Sequence, residues 1–229
     1  MCGSYAYIGA PHDKMNGLST GSVYAYKMAP DGSWKLSEKL FPGDTDNPAD
    51  GDLFGASVSC DRNMTAVGAP SDGSLYAAGG AVYVYQRGLQ AVLLVAKLTS
   101  YSGEANEQFG YSVAVSNNLV LVGAVGSSEA GASSGAVLTG GEGTTAREFF
   151  GTSVAIDAHT IVVGQPMAFD DTYETQRGAA HVFTTHTSGK ALDYWAHVAI
   201  LTEPLLDAVT NKFGSSVAVR QNSVLVGAP

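Results

Sequence analysis

A chain of 229 residues, only 14% charged and carrying 28 glycines and 11 tyrosines, suits short strands and tight turns in one all-β domain over 1–229. Its net charge of −9 disfavours nucleic acid and anionic bilayers as partners, because both repel an acidic surface. No apolar run approaches the roughly 18 residues that cross a bilayer, which argues against direct membrane insertion, and the N-terminus lacks the basic and apolar regions of a signal peptide.

In chain order, Ile8-Gly9-Ala10-Pro11 reads as the second half of a repeated unit. The chain is therefore expected to begin inside one unit and, at Pro229, to stop inside another, as a fragment or an incomplete gene model would. Cys2 and Cys60 are neither adjacent nor at a metal-type spacing, so both are expected to be buried or half-buried thiols outside any disulfide framework. Strands over 21–26 and 34–40 complete the first unit.

Phe54-Gly55 opens the next unit, and from here a fixed step recurs. Phe54-Gly55 leads to Val67-Gly68-Ala69-Pro70, Phe109-Gly110 to Val122-Gly123-Ala124, Phe150-Gly151 to Val163-Gly164-Gln165-Pro166, and Phe213-Gly214 to Val226-Gly227-Ala228-Pro229. The two glycines are 13 residues apart each time. A fixed period means stacked copies of one supersecondary unit. Each copy starts with an alternating strand such as 150–156, turns in a polar segment (61–63, 116–118, 157–159, 220–222), and returns in an apolar run such as 119–122, which is the pattern of a β-hairpin. A Gly/Ser/Asp-rich loop then leads to a third strand at 80–85 or 178–183, and a fourth follows around 92–98 or 195–201. Four antiparallel strands per unit describe propeller blades packed face to face. The phenylalanines are expected in the core between blades, the glycines where backbones approach closely, and the prolines where the chain leaves the sheet. Unit three is short: Gly135 is 16 residues before the next Phe-Gly glycine, against 34, 30 and 36 in the other units. Its third strand is expected to break over 135–140, leaving no room for a fourth and exposing an edge.

Phe-Gly-x-Ser-Val, Val-Gly-Ala-Pro, Gly-Ala-Val-Tyr-Val-Tyr and a Trp-bearing fourth strand ending in Lys-Leu resemble FG-GAP repeats, the blade unit of integrin-α-type β-propellers, in their short-hairpin form. The resemblance implies an all-β propeller of four-stranded antiparallel blades. The family propeller closes with seven blades, so about four units imply an open arc. The resemblance further implies an extracellular or cell-surface, non-enzymatic binding or adhesion module. Integrin-like propellers hold Ca2+ between strands one and two. Here those connections are short turns with at most one acid, so these metal sites do not carry over.

In such a blade the connections from strand two to strand three, and from strand four to the next blade, share one end. Sixteen of the 21 acids fall in those long connections, but only four of the 12 bases. An acidic end attracts cations or a basic partner. Its densest stretch, with Asp44, Asp46, Asp50 and Asp52 around Gly51, offers oxygens to Ca2+, although it lacks EF-hand spacing and Pro48 interrupts it. Asp170, Asp171, Tyr173 and Glu174, beside Phe169, are the candidate contacts for a protein or glycan partner. The five histidines are scattered with no ligand spacing, and no Gly-x-Ser-x-Gly elbow is present. The serine of each Phe-Gly-x-Ser repeats and is therefore expected to be scaffold. Asn63-Met64-Thr65 is an N-glycosylation sequon in an exposed turn. Two alternatives stand beside the binding module: a structural fragment that self-associates through open blade edges, and a carboxylate-based propeller hydrolase or lyase.

Overall fold

The computed structural model describes residues 2–42, 49–89, 91–100, 103–126, 149–170, 175–187, 192–203, 211–221 and 223–229. All regular structure among them is antiparallel sheet. The first sheet orders β1 (Tyr5–Ala10), β2 (Ser22–Met28) and β3 (Trp34–Leu40). The second orders β4 (Ser57–Asp61), β5 (Met64–Ala69), β6 (Ala81–Arg87) and β7 (Val92–Thr99). A third pairs β8 (Phe109–Ser116) with β9 (Leu119–Ala124). In the fourth, β10 (Ser153–Asp157) and β11 (Thr160–Gln165) are followed by a small ribbon, β12 (Phe169–Asp170) with β13 (Thr175–Gln176), and then by β14 (Ala179–Thr187) and β15 (Leu192–Leu201). The last pairs β16 (Ser216–Arg220) with β17 (Ser223–Gly227). These are the propeller blades expected from the repeat, each packed on the next. The segment 135–140, where unit three was expected to lose its third strand, lies outside the described residues.

The blades are sandwiched, which changes the burial pattern from the one-faced alternation expected of each strand. β5 and β6 are buried on both faces from Thr65 to Ala69 and from Ala81 to Tyr85. One side meets Val23, Leu40 and Phe54, and the other meets Phe109, Val113 and Val115. Phe54 and Phe109 are fully buried, and Phe54 meets the Tyr83 and Tyr85 rings edge-on at 5.2 and 6.2 Å. The third and fourth strands bulge at the same place in three blades, after Ala25, Val84 and Val182.

What sets the spacing between blades is a glycine pair. A methyl group on Gly68 would lie 2.0 Å from the carbonyl oxygen of Gly110, one on Gly123 2.1 Å from that of Gly151, and one on Gly164 1.9 Å from that of Gly214. The Val-Gly glycine of one blade thus lies against the Phe-Gly glycine of the next, which also adopts a φ near 90° that L side chains avoid. The repeated serine uses that contact. Ser57, Ser112 and Ser153 donate through Oγ to the carbonyls of Gly110, Gly151 and Gly214 at 2.8, 2.7 and 2.8 Å. At the hairpin tips a second tie joins neighbours. The Asn117 N–H donates to Asp61 at 2.8 Å, the Ala158 N–H to Ser116 at 3.3 Å, and the Gln221 N–H to Asp157 at 2.5 Å.

The first junction keeps the glycine contact, with a methyl group on Gly9 1.9 Å from the Gly55 carbonyl oxygen, but ties its hairpin tips differently, and here the expectation of free thiols is corrected. Cys2 and Cys60 form a disulfide across the first two blades. Their separation of 58 residues hides the pairing from any spacing rule, yet the Cys2–Tyr5 bridge places Cys2 at the hairpin position that Asp61 holds opposite Met64 in the next blade. The bridge therefore stands where later junctions use a turn-to-turn hydrogen bond. Arg87 reinforces it, lying 3.8 Å over the Tyr5 ring, donating to the Tyr7 hydroxyl at 2.9 Å and pairing with Glu38 at 2.6 Å. Chain entropy for a 58-residue loop assigns the bridge about 4 kcal/mol, against about 1 kcal/mol for one serine tie. Cys60→Ser is thus expected to lower the urea unfolding free energy several times more than Ser112→Ala does. Equal losses in the two variants would show that the bridge does not hold the first blade.

Candidate functional site

The long-connection end is where the sequence places its acids, and the structure shows what several of them do. Asp13 follows the Gly-Ala-Pro corner of the first blade; it accepts Ser22 Oγ at 2.6 Å and the Tyr24 hydroxyl at 2.7 Å, and pairs with Lys39 at 2.6 Å. Asp72 holds the same place in the second blade, accepting the Ser74 N–H at 2.9 Å and the Tyr83 hydroxyl at 2.7 Å, and pairing with Lys97 at 3.1 Å. In both blades the lysine ammonium also lies over the tyrosine ring, at 4.8 and 5.1 Å. Lys39, then Ser22 and Tyr24, hold the Asp13 carboxyl well below the usual range. For Asp72, burial alone would raise it, but Ser74, Tyr83 and the Lys97 charge carry it below its ordinary value. Both acids therefore brace the corner between strands two and three.

In the fourth blade all three members change together: Ala168, His181 and Ile200 stand where Asp72, Tyr83 and Lys97 stand in the second. Gln165 replaces the corner alanine. The result brings together two of the histidines that lie scattered in the sequence. His181, only 2% exposed, places Nε2 2.7 Å from Gln165 Oε1 and Nδ1 3.2 Å from Nε2 of His197. Its ring meets Phe150 edge-on at 5.2 Å, and His197 lies 4.8 Å from Phe183. Antiparallel pairing of β14 with β15 brings the two histidines together, and that register could be read only after both strands were placed.

Burial first, and the neighbouring His197 second, push His181 down to about 4 from 6.5. The unfolded chain then binds the proton more readily than the folded one between those values, so stability is present above pH 6.5 and falls as pH drops towards 4. The expected loss between pH 7 and pH 5 is about 2 kcal/mol. Denaturant unfolding at both pH values checks it. His181→Phe should remove most of that pH difference whatever it costs at pH 7, and an undiminished difference would assign the acid sensitivity elsewhere.

The other site candidates divide between the described residues and the rest. Asp44, Asp46, Asp171, Tyr173 and Glu174 lie outside the described residues, as does the side chain of Asp170, whose backbone pairs with Thr175. Asp50 accepts the Ser19 N–H at 2.7 Å, and buried Asp52 accepts the Ala49 N–H at 2.7 Å. Burial raises Asp52 above its usual value despite that hydrogen bond, and the Asp72 charge adds to the rise. Both carboxylates thus hold loop backbone, and among the described residues no three His, Cys, Asp or Glu side chains converge as a metal would need. The hairpin turns do not fit Ca2+ either, since Asp61 and Asp157 each stand alone and accept from the next turn. Asn63 is exposed at its turn. Phe169, already placed beside the partner candidates, is 51% exposed, and the sequence reading missed further apolar residues at this end: Leu18, Leu75 and Tyr76 are 43%, 64% and 49% exposed. Leu75 and Tyr76 rim a shallow surface depression that reaches Ser100 and the buried Glu107.

No curated protein matches the chain. A family model for the FG-GAP repeat matches residues 34–85, 93–140 and 141–183, more than half of the sequence. The repeated glycine contacts, serine ties and four-stranded blades provide the physical reason for that match, and the chain belongs to the FG-GAP repeat family.

Proposed function

We propose that the protein is a non-enzymatic binding module that engages an extracellular protein or glycan through the long-connection end of its blades. The observation that carries this reading is the exposure of large apolar side chains on three separate long connections, at Leu18, Leu75 and Tyr76, and Phe169. Exposed apolar groups rimmed by polar ones mark contact surfaces. Asp13, Asp50, Asp52 and Asp72 are engaged within the fold, and Asp170, Asp171 and Glu174, with Tyr173 beside them, are the candidate acidic contacts next to Phe169. Family membership and a disulfide, which persists in oxidising compartments, both support an extracellular or cell-surface setting. The test is binding to arrays of basic proteins and of glycans. Replacing Tyr76 and Phe169 together by serine should weaken a captured ligand at least tenfold, as expected for central aromatic anchors. Neutralising Asp170, Asp171 and Glu174 should flatten the salt dependence. Affinity unchanged in both variants would rule out this end as the contact surface.

A further inference from the structure

We propose that Asn63 carries an N-linked glycan, placed on the end of the blades opposite the long connections. Asn63-Met64-Thr65 is the single Asn-x-Ser/Thr sequence in the chain with x other than proline. Arg62 and Asn63 form the two-residue turn between β4 and β5, and Arg62 takes the left-handed conformation there, with φ 53°. The turn is held by its backbone: the Asn63 carbonyl accepts the Arg87 N–H at 2.7 Å. Asn63 itself is exposed at the tip, so a bulky substituent meets solvent rather than a neighbouring blade.

An independent observation points to the same compartment. Cys60, three residues earlier, is bridged to Cys2, and such bridges persist where glycan transfer takes place, in the oxidising lumen of a secretory pathway. Thr65, the third residue of the sequon, is 2% exposed and lies in the middle of its sheet, paired with Cys60 and Tyr85. Transfer therefore precedes closure of the blade. The donor is an oligosaccharide linked through its anomeric carbon to a lipid pyrophosphate. The Asn63 side-chain nitrogen bonds to that carbon, the carbon–oxygen bond to pyrophosphate breaks, and the lipid pyrophosphate leaves with the bonding pair. The amide nitrogen gives up one proton to a base, and no oxidation or reduction is involved.

The experiment is intact-mass analysis of the full chain made in a glycosylating secretory host, before and after peptide-N-glycosidase. The expected result is the mass of one core glycan, removed by the enzyme with conversion of Asn63 to aspartate. It should be absent from Asn63→Gln and retained in Thr65→Ser, which keeps the hydroxyl. Because the cell lysate is analysed with the medium, a variant that fails to leave the cell is still read. An unmodified mass in wild-type protein whose Cys2–Cys60 bridge has formed would overturn the proposal, as would a glycan that persists in Asn63→Gln. Ligand binding at the opposite end should be the same with and without the glycan, so failure here is distinct from failure of the binding reading.

Discussion

Successive blades touch backbone to backbone at a pair of glycines, and the other contacts between them follow from that distance. With a methyl group 1.9 to 2.1 Å from a carbonyl oxygen excluded, neither Gly68, Gly123 nor Gly164 tolerates a side chain without the blades moving apart. Only at this separation does the serine hydroxyl of one blade reach the Phe-Gly carbonyl of the next, and only there does the phenylalanine fill the space beside it. A single dimension thus explains three repeated residues. The 13-residue step is the length of hairpin that carries the chain from one glycine of the blade to the other, where the Gly55 N–H closes on the Gly68 carbonyl at 2.9 Å.

Strength is added to this contact in small, repeated amounts. A serine tie and a turn-to-turn hydrogen bond contribute about 1 kcal/mol each, and the buried aromatics contribute more through area. At the first junction a covalent bridge and the Arg87 clamp add to the Gly9–Gly55 contact. The same geometric need is met by different chemistry according to which residues the neighbouring strands supply.

Blade architecture was legible because it is periodic. The boundaries of β3, at Trp34–Leu40, and the start of β7 at Val92 follow directly from repeat alignment. Features that occur once were not legible. The Cys2–Cys60 bridge and the His181–His197 pair each join residues from separate strands, and neither spacing means anything until strands and blades are placed in register. Charge counting misled in a different way. It treated Asp13 and Asp72 as surface, although each is consumed by a tyrosine and a lysine on the two strands that follow. A repeat alignment does contain that signal, since Asp, Tyr and Lys recur together in two units and are replaced together in the fourth.

That joint replacement separates scaffold from specialisation within one chain. Where Asp, Tyr and Lys are kept, the corner after Gly-Ala-Pro is braced by an ion pair and holds its shape across the ordinary pH range. With Ala168, His181 and Ile200 in their place, the corner rests instead on a hydrogen-bonded chain of Gln165, His181 and His197 that proton uptake by His181 disturbs. Identical blades would respond to their surroundings identically. Among the described blade corners, the fourth exchanges an ion pair for imidazoles, so its packing against Phe150 is coupled to pH, and the connection it supports carries Phe169 and Asp170. Departures from the repeat, rather than the repeat itself, are therefore where this chain differs physically from a generic stack of blades.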